Sequence, residues 1–100
     1  WTTDAEGQCT WINETLRKKI KADSIEPYLG DNWINYIHVA DRKLVVEEWE
    51  HAVEEKRNFD LTYRMVDVEH QIPFEVHAKG APHKSITGRL VGWMGVVQFL

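Results

Sequence analysis

After Asn58 the hydrophobic period of this chain changes from about 3.6 residues to two, and that switch confines it to an α+β fold. Upstream, over residues 41–56, Val45, Trp49, Ala52, Val53 and Lys56 recur at spacings of three and four. Glu47, Glu48, Glu50, Glu54 and Glu55 face elsewhere, as on an amphipathic helix. His38 or Asp41 is placed to cap it, and Asp41 suits the positive end of the helix dipole. Downstream, Phe59, Leu61, Tyr63 and Met65 alternate with Asp60, Thr62 and Arg64. Phe74, Val76 and Ala78 then alternate with Glu75, His77 and Lys79, so both runs read as half-buried strands around a turn over residues 67–71. A loop over residues 81–85, broken by Pro82, leads to a strand over residues 86–99. Its apolar run over residues 90–97 marks it as central and covered on both faces. Two short strands, up to Asp4 and over residues 8–12, open the chain. A helix over residues 14–22 and a short one over residues 33–37 complete the order.

One hundred residues hold a single core, with no repeat or linker to divide it. Twelve Lys and Arg against sixteen Asp and Glu give a net charge of -4, which argues against a broad grip on nucleic acid. The basic cluster Arg17-Lys18-Lys19 reads as a solvated helix face. No stretch approaches the roughly 20 apolar residues needed to cross a bilayer, and no direct membrane contact is expected. Cys9 alone offers no internal disulfide, and with no leader pattern the expected location is cytoplasmic. His38, His51, His70, His77 and His83 lack the short spacings that place two ligands on one metal. Gly88, Gly92 and Gly95 sit in a strand pattern without the lysine and helix of a phosphate loop, so they read as close packing or a bulge. No nucleophile or base has a partner in view, so no catalytic residue is assigned.

Motifs in order along the chain carry a more specific signal. Trp1-x-x-Asp4-x-x-Gly7 precedes Trp11-Ile12-Asn13, and Gly30-x-x-Trp33-x-x-x-x-His38-x-x-Asp41-Arg42 follows. Then come Trp49 and Ala52, Tyr63-Arg64, Ala81-Pro82, Gly88, and Gly92-Trp93-Met94-Gly95-Val96. Together these resemble a PAS domain with its continuous C-terminal PAC motif, of the sensory-box type found in bacterial signalling proteins. Val39-Ala40 stands where the family pattern has a proline and an acid, and Asp67-Val68-Glu69-His70 replaces a tight Asp-Gly turn, implying a longer one. The last strand closes on Phe99-Leu100 rather than the usual Asp-Ile or Asp-Val pair.

The resemblance implies a five-stranded antiparallel sheet in order 2-1-5-4-3 with helices on one face, the whole chain forming one sensory domain excised from a larger protein. It implies a sensory or relay module of a histidine kinase or diguanylate cyclase, with the adjacent output domain as partner and a homodimer as the working form. A ligand-free interaction module and a small pocket enzyme are the alternatives. Inward positions Phe59, Leu61, Tyr63, Met65, Phe74, Val76 and Ala78, facing Ile34, Ile37 and Val45, form either plain core or a pocket for an unidentified small ligand. No cofactor is assigned. The reactive-cysteine motif of flavin photosensors is absent where Asn13-Glu14-Thr15-Leu16 stands, and His38 reads as a cap rather than a haem ligand. Outward positions Thr62, Arg64, Glu75, His77 and Lys79, with Val66 and Trp93 as exposed apolar members, are the expected contact face. Trp33 and Trp49 are expected to anchor the helices.

Overall fold

A computed structural model describes all residues, 1–100. Strands β1 (Thr2–Thr3), β2 (Cys9–Trp11), β3 (Phe59–Val66), β4 (Pro73–Lys84) and β5 (Leu90–Phe99) form one antiparallel sheet in order β2-β1-β5-β4-β3. The apolar strand β5 is central as expected, but it is covered on its inner face only: Val91, Met94 and Val96 are exposed, because the helices pack on one side of the sheet. Helices α1 (Glu14–Lys19) and α2 (Arg42–Glu55), joined by 3-10 turns at Glu26–Tyr28, Asn32–Tyr36 and Val39–Asp41, complete the fold.

Each helix boundary has a local cause. The Asn13 side chain accepts from the Leu16 amide and starts α1. Lys21, at φ 59°, ends it earlier than the expected Ala22. His38 caps the turn before α2, its Nδ1 accepting from the Ala40 amide at 3.1 Å. Asp41 makes no cap bond and is committed elsewhere. Val45, Trp49 and Ala52 point inward from α2, which stops at Lys56 in the left-handed conformation. The expected helix over residues 33–37 is a 3-10 turn, too short for regular α geometry.

The sheet departs from expectation at one end. Residues 81–84, expected in a loop, continue β4, and the turn falls over residues 85–89, where Ser85 Oγ accepts from the Arg89 amide. Pro82 fits because β3 stops pairing at Gly80, leaving β4 a neighbour on one side only. A register shift between His83 and Lys84 then places the bulge beside Gly92. In the longer turn after β3, Asp67 is buried and its Oδ1 accepts from the His70 amide at 2.6 Å. The Val68 amide donates to Ile20, tying this turn to the end of α1.

Two assignments are corrected here. Trp93, expected on the outer face, is 0% exposed. It is paired with Pro82 on the inner face, its ring lies 5.5 Å from that of Trp49, and its Nε1 donates to the Arg57 carbonyl. Val66 is buried as well, because strand alternation gives way where β3 enters the turn pinned to α1.

Candidate functional site

Five aromatic rings meet under the centre of the sheet. Trp49 receives Trp1 at 5.7 Å, Trp33 at 6.3 Å, Phe59 at 5.3 Å and Trp93 at 5.5 Å, all edge-on, the geometry that the ring quadrupoles favour. Its Nε1 donates to the Gly7 carbonyl at 3.0 Å, which fixes the indole plane. Trp1 reaches the group through a gap in the sheet surface. Gly80 and Gly95 face each other across β4 and β5, and a Cβ on either would come within 2.3 Å of the Trp1 ring. The two missing side chains are the slot in which the indole lies.

These bulky groups leave a cavity of about 50 Å³. Its walls are Trp1, Thr3, Gly7 and Cys9 from the first hairpin, Tyr28 and Trp33 from the 3-10 segment, and Trp49 from α2. Phe59, Tyr63, Ala78 and Val97 of the sheet complete the wall, and the cavity is partly open to solvent. Sheet and helical layer therefore share one small void. Burial raises the hydroxyl pKa of Tyr28, with Tyr63, Cys9 and Tyr36 nearby adding to the effect, and burial also raises that of Tyr63. The Cys9 thiol is raised for the same first reason, which keeps it protonated and unreactive. A second cleft of about 180 Å³ lies between α1 and β5, where Asn13 is already used as the helix cap.

The outer face of the sheet is built differently. Arg64 Nε and Nη2 donate to the Asp41 carboxylate at 2.9 and 2.7 Å, and the Arg64 amide adds a third bond. These bonds hold the Asp41 carboxyl well below its usual range, at about 2. His77 is hydrogen-bonded to Asp60 at 2.5 Å. Between these polar groups and the sheet edge, Met94 and Val96 of β5 are exposed, in register with Ala81 and Lys79 of β4.

The family model for the PAS fold matches residues 20–97. This chain belongs to the PAS-fold family. Solved PAS structures agree in fold over the whole chain. The PAS domain of a protein from Colwellia psychrerythraea is 19% identical, with 99% of this chain and 82% of that one covered at a TM-score of 0.74. A domain from Haloarcula marismortui, described as belonging to a light and redox sensing histidine kinase, is 18% identical. It covers 100% of this chain and 86% of its own, with a TM-score of 0.75. The PAS-B domain of Drosophila melanogaster Cycle, solved with bound ethylene glycol, is 14% identical, with coverage of 99% and 96% and a TM-score of 0.75. No curated protein matches the chain.

Of the positions expected to line a PAS pocket, Phe59, Tyr63 and Ala78 do so. Ile37, Val45, Met65 and Val76 point inward but are filled core at 0–1% exposure, with Ile37 bridged to Met65. Ile34, Leu61 and Phe74 are half-buried and line no part of the cavity. The Phe74 ring packs on Phe99 with the Lys19 ammonium over both. Thr62, Arg64, Glu75, His77 and Lys79 do face outward, although Arg64 and His77 are bound within the chain. Sequence reasoning missed the contributions of Trp1, Thr3, Gly7, Cys9, Tyr28 and Val97, and read Trp33 and Trp49 as anchors without assigning them to the wall. It also missed Met94 and Val96 as the exposed apolar pair.

Proposed function

We propose that this PAS-fold chain is the sensory input module of a larger cytoplasmic signalling protein, with an output domain of the histidine-kinase or diguanylate-cyclase class. The observation that carries this reading is the shared cavity, since its walls belong to both layers of the fold. A small molecule that fits one packing of helices on sheet better than another shifts the balance between them by its difference in affinity. The Trp1 indole and the first hairpin would feel that shift directly, because they form one side of the void. The ethylene glycol in Cycle and the sensing kinase to which the Haloarcula domain belongs support the same reading. With its polar wall groups lacking any base-and-nucleophile pair, the cavity gives an enzyme nothing to work with.

Filling the cavity tests this. In the full-length protein that carries the chain, Ala78→Leu should fix output activity at one level, whatever the stimulus, while the fold survives. Output that still responds like the parent's, in a variant shown to be folded, would sink the proposal.

A second reading, self-association through the outer sheet face, is favoured by one observation. Met94 and Val96 stand exposed at 53% and 65% among polar neighbours, a common form of contact surface. The two readings are compatible, with the dimer as the frame through which the shift is passed on.

A further inference from the structure

Two hydroxyls of buried residues in the cavity wall have no partner within the chain. Tyr28 and Tyr63 are 7% and 9% exposed, yet neither hydroxyl makes a hydrogen bond within the chain. Neither is sealed off, since no fully occluded side-chain nitrogen or oxygen lacks a partner. The space that both residues share is the cavity. The other buried polar groups of the wall are occupied: Trp49 Nε1 by Gly7, Thr3 Oγ1 by Asp4 and the Trp93 amide, and Cys9 Sγ by Trp11.

We infer that the cavity takes a small neutral molecule bearing an acceptor oxygen, a short ketone, alcohol or diol, held by the hydroxyls of Tyr28 and Tyr63. This rests on the sensory reading above and names the ligand class for it. Size sets the first limit. A water needs about 10–15 Å³ of such space, so this cavity admits roughly three to five heavy atoms. Charge sets the second. No Lys, Arg, His, Asp or Glu lines the wall, so an ion entering it would meet no charged side chain. Burial keeps both phenols protonated, and therefore able to donate, across the physiological range. The half-buried indoles of Trp1 and Trp33 can add only further donors.

Three probes of equal size separate the alternatives: acetone, isobutene, which has no acceptor, and acetate, which is charged. Each is titrated into the chain while the Trp49 indole N–H and the Gly7 amide are followed by NMR. Acetone should give saturable shifts centred on the cavity, at least about tenfold tighter than either of the others, the effect of losing one or two hydrogen bonds. Tyr28→Phe/Tyr63→Phe should erase that preference, and Tyr63→Phe alone should reduce it if the double variant does not fold. Equal or tighter binding of isobutene overturns the ligand class and leaves the sensory reading standing. Shifts scattered outside the cavity, no binding of any probe, or a preference that persists in the Phe variants also overturn it. If acetone binds as expected but Ala78→Leu leaves output responsive, the ligand class stands and the sensory reading falls.

Discussion

Truncating Trp49 to Ala removes the ring on which four others converge and leaves the buried Gly7 carbonyl without its donor. Loss of a buried aromatic side chain costs about 3–5 kcal/mol, and an orphaned buried acceptor about 1–3 kcal/mol more. Partial collapse of the surrounding rings offsets some of this, so about 5 kcal/mol is the expected total. For a domain of this size, whose whole stability lies in the range of about 5–15 kcal/mol, that is a third or more. With a urea slope near 1.5 kcal/mol per molar, the unfolding midpoint should fall by about 3 M, and Trp49→Ala could be largely unfolded without denaturant. Trp49→Phe separates the two parts. It keeps an aromatic ring in the nest but has no N–H for Gly7, and should cost about 2 kcal/mol, or somewhat over 1 M in midpoint. The assay is urea unfolding followed by far-ultraviolet circular dichroism at matched concentration. A Trp49→Ala midpoint within about 0.5 M of the parent would refute the view that this ring fastens α2 to the sheet.

The Asp41 carboxyl, lowered from 3.8 to about 2 by Arg64, contributes stability that is present above pH 3.8 and lost as the pH falls through 2. Asp41→Asn should therefore melt below the parent at pH 5, with the gap closing toward pH 2; a gap of constant size would contradict the ion pair as its cause. Gly80→Ala drives a methyl into the Trp1 ring and should cost about 1–3 kcal/mol in chemical unfolding. Much of that should be recovered when Trp1→Leu is added, and an additive cycle would show that the clash lies elsewhere. Met94→Lys/Val96→Lys should shift sedimentation toward monomer with little change in melting temperature, and unchanged association would move the interface off this face.

Strand phase was readable wherever polar and apolar residues alternate cleanly, which is why the inner and outer sides of β3 and the first part of β4 follow from Asp60, Thr62, Arg64, Glu75 and His77. Strand β5 offers little such contrast, so the run over residues 90–97 by itself does not tell which face Trp93 takes. One polar residue held the answer: stepping back by two from Gln98 puts Val96 and Met94 outside and Val97, Gly95 and Trp93 inside. The cavity was legible only as an inward face. Which part of that face stays uncovered depends on where Trp1, Cys9 and Tyr28 arrive from distant loops, and on the volume of rings meeting over two glycines. Local periodicity carries no record of either. The commitment of Arg64 to Asp41, 23 positions away, is invisible to it for the same reason.

Four of the five tryptophans, Trp1, Trp33, Trp49 and Trp93, stand in one nest, and the fifth, Trp11, is half-exposed on β2. The chain thereby carries its own optical gauge. Rings this close exchange excitation, so the nest emits and rotates polarised light as a coupled unit rather than as separate dyes. Three of its members border the void, and a molecule entering there alters the coupling, while Trp11 stays as an internal reference. A molecule held there should therefore register in the intrinsic fluorescence of the unlabelled protein, as a change in the nest's emission against that of exposed Trp11.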